Sequence, residues 1–216
     1  MIQTTLDDLN RWKFIELENI NPDIKNNSRD IGRNISRNMI KGIDNTQNKN
    51  MFVSADSLAE DYKISATMLG KRVSQLYLDP YSADKIIRAV DKHDKESPDI
   101  SKNKDKHFGY LFCIVDTNEM RPMINAKVGE MDRLDLVVQK RRESFSEIPE
   151  PWDEDYEDFL GVLKTTLMLE SWINEDSEEK ILEEYGVKPG DLQYKLNNCE
   201  WLIYSAQELS RILKLK

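Results

Sequence analysis

Apolar residues in the second half of the chain recur at three- and four-residue spacing, the signature of helices that bury one face. The longest such stretch closes the chain. After Val187-Lys188-Pro189-Gly190-Asp191-Leu192, the positions Leu192, Leu196, Cys199, Ile203, Ala206, Leu209 and Leu213 form one stripe and predict an unbroken helix to about Leu215. Pro-Gly-Asp marks its start, with Asp191 placed to cap the free amides. At about 100° per residue, Trp201 falls roughly 180° from the middle of that stripe, and Tyr194 lies two turns beneath it. Two readings follow for these outward aromatics. They pack on a neighbouring helix of a larger bundle, or they form a rail for unstacked bases, each base worth about 1–3 kcal/mol whatever its identity. On the second reading Asn197 and Asn198, which lie between them, belong to the same surface.

The same periodicity predicts the elements upstream. Leu6, Leu9 and Trp12 mark a helix over Thr4 to Trp12, and Lys13 to Glu18 then alternates as a short strand does. The second half of Ser57 to Ser65 is the candidate return strand. Asn19 to Asn50 is Asn-rich and weakly apolar, and reads first as a loop or insertion. Within it Arg29, Arg33, Arg37 and Lys41 repeat every four residues opposite Ile31, Ile35, Met39 and Ile43. That pattern is an amphipathic helix with a basic stripe, suited to solvent, to phosphate or to another surface.

Beyond the hairpin, Val73, Leu76 and Tyr77 make a helical face that ends at Asp79-Pro80. Ser82 is the expected cap of the next helix, through Ile86, Ile87 and Val90. His93 to Lys106 reads as a charged linker, and Phe108 to Val115 as an apolar helix. A helix over Glu130 to Phe145 turns Met131, Leu134, Val137 and Val138 inward. Lys140, Arg141 and Arg142 near its end suit the helix dipole or a phosphate. Ile148-Pro149-Glu150-Pro151-Trp152 predicts a rigid extended joint before a helix from Tyr156 to Ile173, with Phe159, Leu163, Thr166, Leu167, Trp172 and Ile173 on its periodic face. Asp176-Ser177-Glu178-Glu179 has the capping-box pattern, and Gly186 is placed to end the following helix.

Composition narrows the functions. The 216 residues include only eight Gly and seven Pro, few for a β-rich or loop-rich fold. A net charge of −9 argues against a protein that holds nucleic acid through a general basic field. Acidic residues outnumber Lys164, Lys180 and Lys188 about fourfold between Trp152 and Gly190, so any nucleic-acid contact follows a narrow track. Cys113 and Cys199 sit among apolar positions and read as reduced core residues. His93 and His107 are isolated, with no ligand spacing beside them. There is no phosphate-binding loop, because Leu69-Gly70-Lys71-Arg72 lacks both the leading glycine and the hydroxyl. No apolar run is long enough to span a bilayer, and no signal peptide opens the chain, so a soluble, cytoplasmic protein without a membrane partner is expected.

Two stretches taken together resemble archaeal Hjm-type DNA repair helicases, of the Ski-two-like branch of superfamily 2. Ala66-Thr67-Met68-Leu69-Gly70-Lys71-Arg72-Val73-Ser74-Gln75-Leu76-Tyr77-Leu78-Asp79-Pro80 is similar to the segment joining their winged helix to their ratchet domain. Asp155-Tyr156-Glu157-Asp158-Phe159-Leu160, Ser171-Trp172-Ile173, Tyr185-Gly186-Val187-Lys188-Pro189-Gly190-Asp191-Leu192 and Cys199-Glu200-Trp201-Leu202 are similar to the ratchet domain itself. The resemblance implies a mainly α fold: residues 1–65 as a partial winged helix, its last helix and β-hairpin wing interrupted by the insertion at about 19–50, then a helical ratchet bundle over 66–216.

It also implies a function. In such helicases the long helix lies along the translocating strand, and an Arg and a Trp on it stack on bases. Trp201 matches the Trp; Tyr194 stands at the Arg position, keeping a stacking face without the cation. The resemblance makes the chain an accessory part of an ATP-dependent DNA helicase, with single-stranded DNA and the parent's motor domains as partners. Trp201, Tyr194, Asn197, Asn198, Lys140, Arg141, Arg142, Arg33 and Arg37 are then the candidate contacts. ATP and Mg belong to the motor domains, so no cofactor and no catalysis are expected of this chain. The rival is a helical scaffold, derived from such a domain, that binds a partner protein.

Overall fold

The computed structural model describes residues 2–19, 62–96 and 104–215. The basic stripe, with its candidates Arg33 and Arg37, lies outside them. The described elements run in the order α1 (Ile2–Arg11), β1 (Ile15–Asn19), β2 (Tyr62–Ala66), α2 (Met68–Gln75), α3 (Pro80–Glu96), α4 (Lys104–Val115), α5 (Met131–Lys140), α6 (Tyr156–Ile173), α7 (Glu178–Tyr185) and α8 (Pro189–Leu213). The fold is thus mainly α with one two-stranded antiparallel hairpin. The chain divides into two compact units, Met1–Ser74 and Gln75–Lys216.

In the first unit β1 and β2 pair with Ile15 opposite Ala66 and Leu17 opposite Ile64. The chain leaves β2 directly into α2, because Thr67 serves both. Its hydroxyl donates to the Lys13 carbonyl at 2.7 Å and accepts from the Gly70 amide at 3.0 Å, capping the helix. Gly70 is required here by close approach: a Cβ at that position would lie 1.9 Å from the Phe14 carbonyl oxygen.

The second unit is built around α6. Every residue from Phe159 to Leu169 is buried, so this helix has no solvent face over three turns. The expected periodic face was therefore too narrow, and it ran too far: Trp172 and Ile173 are exposed. Helices α4, α5 and α7 pack on α6, while α8 lies against α3 and α4. Phe112, Phe145 and Phe159 form an aromatic cluster with centroids 4.9–5.4 Å apart, in the edge-on and tilted arrangements that rings prefer. Ser177 caps α7, and Gly186 ends it at φ 64°, a left-handed turn that only glycine adopts without strain.

Several local expectations are corrected. The helix α3 begins at Pro80 and is capped by Asp79, whose carboxylate accepts from the amides of Tyr81 and Ser82. Ser82 is instead buried, and its hydroxyl accepts from the Asn118 amide at 3.1 Å. Part of the expected linker is helical, since α3 runs to Glu96 and α4 starts at Lys104. The extended joint closes in a turn, with mutual hydrogen bonds between Glu150 and Asp153. Asp191 makes no cap; Lys188 occupies that position and Pro189 opens the first turn. Tyr77 lies beyond the end of α2 and is 88% exposed rather than on its buried face.

Candidate nucleic-acid interface

The flank of α8 that could meet a ligand is defined by how the opposite flank is held. Its buried positions are Leu192, Lys195, Cys199, Leu202, Ser205 and Leu209. That stripe is turned from the one apolar spacing predicts. Ile203 is 47% exposed, whereas Leu202 is fully buried. The reason is that two polar residues enter the buried face with their hydrogen bonds satisfied. The Lys195 ammonium donates to the carbonyls of Met120 and Pro122, and the Ser205 hydroxyl donates to the Trp201 carbonyl at 2.8 Å. Spacing of apolar residues alone does not count such groups as inward.

The rotation brings Trp201 from the far side of the helix to the edge of the packed face. The expectation that it points wholly away from the core is corrected: it is half-buried. Its indole nitrogen donates to the Leu76 carbonyl at 3.2 Å. The N–H is thereby committed and the ring plane fixed, while part of the ring stays accessible.

One turn of backbone anchors the neighbouring candidates. Residues Asn118–Met120 form a 3-10 turn after α4, followed by a cis Arg121–Pro122 peptide. The Glu119 carbonyl accepts from the Asn198 side-chain amide at 2.8 Å and from the Tyr194 hydroxyl at 3.5 Å. Asn198 is thus a half-buried positioning group. Asn197 is exposed and accepts from the Gln193 side chain at 2.8 Å. The Tyr194 ring is 47% exposed, and the Lys195 ammonium lies 5.3 Å from its centroid, close enough for cation–π attraction. A cation therefore accompanies Tyr194 through its neighbour. Desolvation lowers the Lys195 pKa, with Asp191 opposing and Arg121 adding to that shift.

The basic candidates at and just past the end of α5 are elsewhere. Lys140 and Arg142 are exposed, but Arg141 is half-buried, paired to Glu170 at 2.8 Å and stacked 4.1 Å over the Phe108 ring. Phe108 opens the buried part of α4, whereas Glu119 follows its far end. The run from Phe108 to Val115 alone is roughly 10 Å of helix at about 1.5 Å per residue, so this cluster lies at the opposite end of α4 from the turn that holds Tyr194 and Asn198. Cations of α3 and of the turn after α4 are engaged. Lys85 pairs with Asp116, Arg121 with Asp158 and Arg88 with Asp84. The Arg121 guanidinium holds the Asp158 carboxyl below its usual range.

Sequence spacing missed one member of the row. Tyr204 is 50% exposed and follows Trp201 by three residues, one turn further along the same flank. The i, i+3 spacing was the available signal. The Leu76 and Glu119 carbonyls carry no signal at all, because a main-chain acceptor is the same in every residue.

Among the described residues, no group of three His, Cys, Asp or Glu side chains comes together to hold a metal, and no helix is long and apolar enough to cross a membrane. Both cysteines are free; burial pushes the Cys199 thiol up to about 11, and Cys113 upward as well.

Residues 108–216 match the family described as archaeal helicase, domain 4. The chain is also similar to curated relatives named ATP-dependent DNA helicase Hel308. That of Methanococcus vannielii is 36% identical over 151 residues, 69% of this chain and 18% of the relative. That of Thermococcus kodakarensis is 33% identical over 168 residues, 78% of this chain and 14% of the relative. That of Caldivirga maquilingensis is 35% identical over 162 residues, 71% of this chain and 20% of the relative. The chain thus spans a fifth or less of the length of each. With a helical bundle where the match lies, the chain belongs to the archaeal helicase domain 4 family, the C-terminal region of archaeal Ski-two-like helicases.

Proposed function

We propose that this chain supplies a single-stranded DNA contact to an ATP-dependent helicase of the Hel308 kind, with α8 as a ratchet helix along the strand. The observation that carries the reading is the row of exposed Tyr194 and Tyr204 with half-buried Trp201 between them, on one flank of a helix whose other face is locked into the bundle. Stacking on such a row is indifferent to base identity, which suits a motor that must pass every sequence. Rigidity supports the same reading. The side chains of Tyr194, Lys195, Asn198 and Trp201 all bond to main-chain carbonyls, so little ordering remains to be done on binding. The motor domains of the parent would supply ATP, Mg and direction, and the helix and hairpin of the first unit would be the last helix and wing of its winged helix.

The test is binding of a fluorescently labelled oligothymidylate and of a matched duplex across a salt series, for the 216-residue chain and Trp201→Ala. Preferential single-strand binding is expected, with a shallow salt slope of about one or two released counterions because nearby cations are paired. Trp201→Ala should weaken it about tenfold. Equal affinities with a lower Tm in the variant would make Trp201 a packing residue. Preference for duplex, or capture of a basic protein without single-strand affinity, would sink the reading.

A further inference from the structure

Tyr77 stands one residue past the carbonyl that holds the Trp201 indole. Its neighbours Leu76 and Leu78 are buried at 6% and 5% exposure, while Tyr77 between them is 88% exposed. Its φ is 57°, in the left-handed region. This is the position just past a helix end where Gly or Asn ordinarily reverses the chain, and a bulky residue there is a backbone outlier. The ring recovers little of that strain through packing, because nearly all of it is in solvent. An exposed aromatic in a strained conformation, clamped on both sides, is the kind of outlier from which function is inferred.

Its placement indicates which function. The indole N–H of Trp201 reaches Leu76 at 3.2 Å, so the backbone that carries Tyr77 is tied directly to the stacking row. Tyr81, four residues on at the start of α3, is also 66% exposed. We propose that Tyr77 is a further stacking residue of the same single-strand track, taking a base adjacent to the one carried by Trp201. This rests on the single-strand reading of α8 and extends it from one helix to the joint between α2 and α3. Aromatic rings fit that ligand because each base offers a π face, and the chain's charge of −9 leaves stacking as the means of grip.

The strain makes the test clean. Tyr77→Gly removes the ring and relieves the left-handed residue, so its Tm should equal or exceed that of the native chain. Its affinity for labelled oligothymidylate should fall about fivefold or more, by the loss of one stacked base. Tyr77→Phe should keep both properties, and Trp201→Ala is run beside them. If Trp201→Ala weakens binding and Tyr77→Gly does not, the Tyr77 assignment falls while the reading of α8 stands. If neither variant changes binding, or the native chain binds no single strand, both fall. A Tm lowered by Tyr77→Gly would place the ring in packing and overturn the proposal.

Discussion

The two long helices of the second unit, α6 and α8, each bury one lysine and use it for opposite ends. Lys164 of α6 is 3% exposed and pairs with the Glu130 carboxylate at 2.7 Å, while also reaching the Asn125 carbonyl at 3.2 Å. Lys195 of α8 is 5% exposed and takes the carbonyls of Met120 and Pro122. Both therefore grip the same connector between α4 and α5, α6 at its later part and α8 at its start. Thr165 adds a third grip, accepting from the Ile124 amide at 3.1 Å. The helices differ in what remains. Buried all round from Phe159 to Leu169, α6 serves stability; α8, buried on one flank, carries exposed Tyr194 and Tyr204 and half-buried Trp201 on the other. Centrality and an accessible aromatic flank are thus divided between two helices rather than shared by both.

If that division holds, damage to α6 should be paid in stability and damage to α8 mainly in binding. The largest effect is expected from Leu163→Ala in α6. Leu163 is fully buried, so its truncation should cost about 2–5 kcal/mol, measured by urea denaturation. A loss under about 1 kcal/mol would mean that the centre of the bundle can collapse around the gap.

A smaller and mixed effect is expected from Lys195→Met, which keeps the stem and removes the ammonium. The buried Met120 carbonyl and the Pro122 carbonyl lose their donor, at about 1–3 kcal/mol. The turn that also holds Tyr194 and Asn198 is loosened, so single-strand affinity should fall by more than the stability loss alone accounts for. Unchanged binding in a folded Lys195→Met chain would separate the lysine from the interface.

The smallest effect tests the α6 grip through pH. Burial pushes the Glu130 carboxyl up, but its hydrogen bonds to Lys164 and to the Lys127 amide outweigh this and hold it below 4.5. A carboxylate lowered in the folded state contributes stability above its unfolded pKa and loses it as pH falls through the folded value. Stability should therefore decline below pH 4.5, and Glu130→Gln should make that acid limb shallower while lowering stability slightly at neutral pH. An identical acid limb in the variant would show that the pair contributes nothing on folding.

Much of this architecture was legible from residue order. The periodic face through Phe159, Leu163, Thr166 and Leu167 identifies α6, though not its full burial; Ser177 and Gly186 bracket α7; Pro189 opens α8; alternation places the hairpin. Each of these depends on local physics: a side chain that caps, a missing Cβ, a fixed φ. Part of the candidate site was legible for the same reason, since Tyr194 and Trp201 share a flank by helical spacing alone. What failed was the rotation of α8. Spacing treated Lys195 as outward because lysine is costly to bury, and it treated Ile203 as inward because isoleucine is cheap to bury.

The sequence by itself determined the presence of the helices, some of their ends, the hairpin and the family, because propensity, capping and periodicity act over a few residues. Only the tertiary structure decided which flank of α8 is free. That depended on the carbonyls of Leu76, Glu119, Met120 and Pro122, brought from distant parts of the chain to accept the hydrogen bonds of Trp201, Asn198 and Lys195. A buried polar side chain goes where its partners are, and those partners are main-chain atoms that no residue letter distinguishes.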